Sequence, residues 1–265
     1  MTQIIKIDRE KSQFVTDVSI VNFAKLFPGQ AEESEKKAGS KYYKCEIYSK
    51  TLSKSMIDAF SYIAQIYAPN NWQDHVNAQF KTLEQMCTPV PGQPVPKRQY
   101  DKYPYAVGHY VMNFSKSVSL KMLKMEQANL SDPAVRAEYD LKVNQAAPKI
   151  TRYANINDPA DIARIEQLSR DNMLRGVPPI AQADYARVML PVTSSELWNG
   201  CKVRVFGRVY WDEKIHKTCL PALEQIMLVG PGERISGGYE ARPEDVFGAF
   251  APAENLAPDP YAGVV

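Results

Sequence analysis

The sequence predicts an α+β fold, mainly β with helical insertions. Residues 41–48 and 201–211 alternate clearly enough to be strands, helix start and stop signals cluster in 130–176, and strand-like runs resume on either side of that block. The chain has 265 residues, 45% hydrophobic and 23% charged, which is enough to bury a sizeable core and argues against wholesale disorder. Mean hydropathy is −0.37, and no apolar run approaches the roughly 18 residues of a membrane span. Charges throughout MTQIIKIDREKSQF leave no room for the apolar stretch of a secretory signal. Cys45, Cys87, Cys201 and Cys219 are spaced irregularly and form no CxxC pair, which fits a reducing compartment rather than a disulfide framework.

Net charge is +2, but it is unevenly spread. Residues 1–130 hold 17 Lys+Arg against 12 Asp+Glu, and residues 230–265 hold 2 against 6. A basic body with an acidic end is an asymmetry of the kind associated with nucleic-acid work.

In chain order, residues 14–23 (FVTDVSIVNF) give the first strand signal, with alternation broken near Val21 and a turn at Phe27-Pro28-Gly29. Residues 30–40 read as a solvated loop. The strand 41–48 places Tyr43, Cys45 and Ile47 on one face and Tyr42, Lys44, Glu46 and Tyr48 on the other. Ser53 caps a helix through about Ala68, because Met56, Phe60, Ile63, Ala64 and Tyr67 recur at helical spacing. A second helical piece falls at 74–86, and TPVPGQPVPK at 88–97 is an extended connector. Residues 105–123 read as one or two strands with a break near Ser115-Lys116. Asp132-Pro133 opens a helix to about Asn144, and Asn157-Asp158-Pro159 opens another that ends near Gly176. The proline-bearing segment 147–155 joins them. Strands resume at 186–190, 201–211 and 222–228, followed by glycine-rich turns at 230–238. The predicted organisation is one domain, 1–250, with a helical insertion at about 126–185, and a flexible tail, 251–265.

The segment CKVRVFGRVYW at 201–211 carries the most chemical information. Val203, Val205, Gly207, Val209 and Trp211 make an ordinary core face. Lys202, Arg204, Phe206, Arg208 and Tyr210 share the other, mixing three cations with two aromatics. Single-stranded nucleic acid asks for that mixture: cations along the phosphates and flat rings under unpaired bases, each stack worth roughly 1–3 kcal/mol whatever the base. The plainer reading is a charged, solvated strand face. Tyr42, Lys44 and Tyr48, with Lys41 at the strand's start, repeat the theme, although tyrosines also cover many sheet surfaces. Tyr110, Met112 and Phe114 align as either core or stacking face, and Lys116, Lys121 and Lys124 are phosphate-contact candidates.

Enzymatic patterns are missing. The histidines at 75, 109 and 216 sit in no metal motif, His216 with Cys219 and Cys201 lacks a fourth ligand, and neither a GxSxG elbow nor a GxxxxGK[ST] loop is present. No catalytic residue, metal or cofactor is expected.

Several segments, in order, resemble a known family. They are Gly39-Ser40-Lys41-Tyr42-Tyr43 leading into the Ser53 helix, Gly108-His109-Tyr110-Val111-Met112-Asn113, and Glu196-Leu197-Trp198-Asn199-Gly200-Cys201-Lys202-Val203-Arg204. Leu223-Glu224-Gln225-Ile226, Gly232-Glu233-Arg234-Ile235-Ser236-Gly237-Gly238 and Phe247 complete the series. This resembles a family of bacteriophage and prophage proteins long catalogued as a domain of unknown function, one member of which was later recognised as a single-stranded-DNA-binding protein with an OB-fold. The likeness covers about 14–125 and 186–250, and the block 130–176 is longer than the usual connection. It implies an OB-type five-stranded β-barrel that coats single-stranded DNA without sequence preference in phage replication and recombination, in the host cytoplasm. The phosphate contacts would fall to Lys41, Lys44, Lys202, Arg204 and Arg208, and the stacking to Tyr42, Tyr48, Phe206 and Tyr210, with Tyr110 and Lys116 of second rank. The acidic C-terminal region would meet replication or recombination proteins. The rival classes are a nuclease-like DNA-processing enzyme and a β-barrel virion assembly protein.

Overall fold

Ser53 fixes the first helix as its sequence demands: its hydroxyl accepts from the Met56 amide, and α1 (Lys54–Tyr67) buries Met56, Ala59, Phe60, Ile63 and Ala64 along one stripe. The computed structural model describes residues 7–35, 39–91, 95–96 and 103–235. Five α-helices occur among them: α1, α2 (Trp72–Asn77), α3 (Leu83–Cys87), α4 (Pro133–Gln145) and α5 (Pro159–Leu174). The strands are β1 (Gln13–Val15), β2 (Ser19–Lys25), β3 (Glu32–Glu33), β4 (Ser40–Ser49), β5 (Lys81–Thr82), β6 (Tyr110–Ser119), β7 (Lys149–Tyr153), β8 (Met189–Pro191), β9 (Lys202–Asp212) and β10 (Thr218–Gly230). The protein is therefore α+β, a large sheet with several helices.

Neighbours in the sheet run β1-β9-β2-β4-β6-β10-β7-β8, and β10 also pairs with β9 along most of its length. The succession β9, β2, β4, β6, β10 thus returns to β9. Two of its joins are narrow: Ser19↔Val203 and Ile20↔Lys202 between β2 and β9, and Ala222↔Ser115 between the parallel strands β6 and β10. Val21, Cys45, Ile47, Met112, Phe114, Val203, Val205, Val209, Leu223 and Ile226 from these five strands share one core with Phe14 and the buried stripe of α1. The hydroxyls of Ser53 and Ser55 both donate to the Val15 carbonyl, at 2.6 and 3.0 Å, which pins the helix start to β1.

Gly207 shows how tightly β1 crosses β9. A Cβ there would lie 2.5 Å from the Ala222 carbonyl oxygen and 2.7 Å from the Phe14 ring. Gly207→Ala is expected to cost roughly 1–3 kcal/mol by overpacking. The urea midpoint should fall with the slope unchanged; an unchanged midpoint would contradict this packing.

The structure revises several expected elements. The run 14–23 is two strands, because the chain turns at 16–18 to place β1 and β2 against different parts of β9. The helical piece at 74–86 is α2 and α3 separated by β5, which pairs with β6. Residues 110–119 form one unbroken strand. The segment 147–155 is no mere connector: β7 lies parallel to β10, from Gln225↔Lys149 to Met227↔Thr151, and β8 pairs behind it. The insertion therefore extends the sheet. Residues 92–94, 97–102 and 236–265, including part of the connector, the end of the glycine-rich turns and the tail, lie outside the described residues.

The inserted block is tied to the sheet by charge. Arg152 on β7 donates from Nη2 to Asp161 Oδ1 at 2.8 Å and from Nε to Glu196 Oε1 at 2.8 Å, while Asp161 is only 2% exposed. The Arg152 guanidinium, first among the causes, holds the Asp161 carboxyl below the usual carboxylate range against the opposing effect of burial.

Candidate nucleic-acid interface

Alternation along β9 is strict. Cys201, Val203, Val205, Gly207 and Val209 are buried, and Lys202, Arg204, Phe206, Arg208 and Tyr210 point the other way. Lys202 and Arg204 are exposed and have no ion-pair partner among the described residues. Phe206 is half-buried and Tyr210 is 42% exposed. Arg208 contacts Glu224, Nε to Oε1 at 3.1 Å. Glu224 sits where the register of β10 shifts between Leu223 and Gln225, so the bulge sets a carboxylate beside this one cation.

The registers carry the face across to β4. Lys25 pairs with Lys44, Lys44 with Ser115, Ser115 with Ala222, and Ala222 with Arg208, one row across five strands. Side chains in the middle of the row are small, and Asn113, Ser115 and Ser117 on β6 are all exposed. The result is a shallow floor bordered by cations and rings. At its β4 side a cavity of about 460 Å3 is lined by Phe23, Tyr42, Lys44, Glu46, Asn113 and Ser115. Lys44 Nζ lies 2.5 Å from Glu32 Oε2 and 5.6 Å from the Tyr42 ring centre. Its hydrogen bond is the main reason the Glu32 carboxyl titrates below its ordinary value.

Phe23 was not found by sequence reasoning. It holds a left-handed backbone with φ +48° and is 38% exposed. The Asn22 side-chain oxygen accepts from the Phe23 amide at 2.9 Å, and the Asn22 side-chain nitrogen donates to the Tyr105 hydroxyl at 3.0 Å. The register shift between Asn22 and Lys25 turns the ring out of the strand. Broken alternation near Val21 was the only trace of it in the sequence.

Four expected site residues are placed elsewhere. Tyr48 is fully buried, donates its hydroxyl to Glu46 and meets the Tyr105 ring edge-on at 5.5 Å. The segment that brings Leu83, Tyr105 and Ala106 over this end of β4 closes it to a base, and burial pushes its hydroxyl well above the ordinary tyrosine value. Lys41 is 16% exposed and bound to Asp140 of α4 at 2.8 Å, so it serves the seam with the insertion. Tyr110 packs against the main core, in which Met112 and Phe114 are buried, and that settles the alignment of the three as core. Lys116 shares the parity of Phe114, is half-buried, and has its ammonium pKa lowered, chiefly by burial. Trp211 packs against the core as its alternation implied, stacked on Tyr67 at 5.5 Å.

Cys201 and Cys219 are buried thiols, and burial pushes Cys219 up to about 12. Among the described residues no three His, Cys, Asp or Glu side chains gather to hold a metal, and no helix is long and apolar enough to cross a membrane.

No protein-family model and no curated protein matches the chain. Two solved structures align with 92% of it. One is the single-stranded DNA-binding protein from bacteriophage Enc34, at 10% identity and TM-score 0.36 over 97% of that chain. The other is gp2.5, a single-stranded DNA-binding protein encoded by bacteriophage T7, at 12% identity and TM-score 0.38 over 96% of that chain. Likenesses this loose assign neither fold nor role.

Proposed function

We propose that this protein binds single-stranded DNA without sequence preference across the outward faces of β4, β6, β10 and β9. The observation that carries this reading is the row Lys25, Lys44, Ser115, Ala222, Arg208, in which cations border a floor of small side chains with Tyr42, Phe23, Phe206 and Tyr210 alongside. Lys202, Arg204, Lys44 and Arg208 would meet phosphates, and the four rings would take bases by stacking, which tolerates any base. The five strands β2, β4, β6, β9 and β10 support an OB-type barrel reading. OB-folds bind along their second and third strands, which here are β4 and β6. The likeness of sequence segments described above supports a place in phage DNA replication and recombination.

Stacking makes the reading testable apart from charge. Phe206→Ala should weaken oligo-dT binding by roughly 5- to 150-fold while leaving the salt dependence unchanged. Fluorescence anisotropy measures both quantities. Equal affinities for the variant and the wild type would remove Phe206 from the site.

A further inference from the structure

Beyond the main groove lies a second cleft of about 210 Å3 between α1, the α2–β5 segment and β6. It shares Asn113 and Phe114 with the first cavity, which places the two side by side along β6. Phe80, Met86 and, from β10, Leu220 and Pro221 are among its lining residues. Phe80 is braced by Phe60, ring edge to face at 5.0 Å, which keeps its place in the cleft wall. Polar groups are few and sit at its borders. Gln79 donates from Nε2 to Thr218 Oγ1 at 3.4 Å, leaving its carbonyl oxygen as an acceptor. Exposed Lys81 lies at the rim, pairs in register with Val111, and has no ion-pair partner among the described residues.

We propose that this cleft is a second nucleobase pocket, seating an unpaired base of the same strand that crosses the main groove, with Lys81 on its phosphate. This rests on the single-stranded-DNA reading above. Apolar walls suit the faces of a base, while the amides of Gln79 and Asn113 supply donors and acceptors for its edge. A phosphate beside the base would fall near an unmatched ammonium. With Asn113 lining both cavities, a strand leaving Tyr42 and Lys44 would reach the cleft along β6. The chain therefore reads more nucleotides than the β4–β9 faces account for.

Two substitutions on exposed positions test this without disturbing the core: Lys81→Glu at the rim, and Ala78→Phe to fill the mouth. Affinity is measured for oligo-dT of graded length. Both variants should bind the shortest oligomers like the wild type and the longer ones about tenfold more weakly, the worth of one stacked base. The Met86 methyl resonance, observed by NMR in 13C-methyl-methionine protein and assigned with Met86→Leu, should shift only with the longer oligomers. Wild-type affinities at every length, or equal weakening at every length, would overturn the pocket while leaving DNA binding in place. An unshifted Met86 under saturating DNA would overturn it too. Failure of the wild type to bind any oligomer would instead sink the reading on which the pocket rests.

Discussion

Reversing both charges in Lys202→Glu/Arg204→Glu is expected to weaken oligo-dT binding about 100-fold or more at low salt. Both side chains are exposed, and neither has an ion-pair partner among the described residues. Each charge-assisted contact with a phosphate contributes about 1.5–3 kcal/mol, and tenfold in affinity is about 1.4 kcal/mol. The variant should also show a shallower salt dependence, by about 1.4 in the slope of log K against log salt for two lost contacts on single strands. Folding should be unaffected, since the opposite face of β9 makes the core contacts. Arg208→Ala should weaken binding less, because Glu224 already takes part of that charge. A double variant with wild-type affinity and slope would move the DNA path off β9.

Arg152→Ala is expected to cost about 3–5 kcal/mol of stability, the usual loss when one partner of a buried ion pair is removed. The cost comes from Asp161, which is 2% exposed and would keep its burial while losing its guanidinium. The pH dependence follows from the same pair. Asp161 has a depressed pKa in the folded protein, so its stabilisation is present above the unfolded value of 3.8 and is lost as pH falls through the folded value. In the variant Asp161 keeps only the Asn155 amide at 2.8 Å and the more distant Arg164 at 3.6 Å, so the gap between wild type and variant should be widest near neutral pH and narrow as pH falls through the carboxylate range. Urea denaturation across a pH series checks both points. A variant as stable as the wild type at neutral pH would mean that the Arg152 pair contributes nothing to holding the insertion, leaving that to the β7–β10 pairing and the Lys41–Asp140 contact.

Much of the fold was legible because local signals agreed with the final packing. Ser53 and the stripe from Met56 to Ala64 gave α1 nearly to the residue, and the Asp132-Pro133 and Asp158-Pro159 caps placed α4 and α5. The alternation of 201–211 gave both faces of β9. Elements stabilised from a distance were not legible. β7 is five residues whose strand state depends on parallel pairing with β10, some 75 residues later, and nothing local marks it. Site residues divide in the same way. Lys202, Arg204 and Phe206 follow from alternation on a strand with one covered face. Tyr48 shares the parity of Tyr42 and Lys44, but the covering segment around Tyr105 buries it, which period-two reasoning cannot foresee. Lys41 was diverted by Asp140, about 100 residues away. Phe23 depends on a bulge and an Asn22 side-chain bond, features that appear only once β2 is paired with β4.

The proposed role of the outward sheet face is to bind single strands through phosphate charge and base stacking. The most direct measurement is fluorescence anisotropy of labelled oligo-dT titrated with protein from about 50 to about 200 mM salt, with matched duplex as competitor. Tight binding at low salt, a linear fall of log K with log salt, and little displacement by duplex are expected. Binding that is absent at the lowest salt, or that duplex abolishes at equal concentration, would contradict that role.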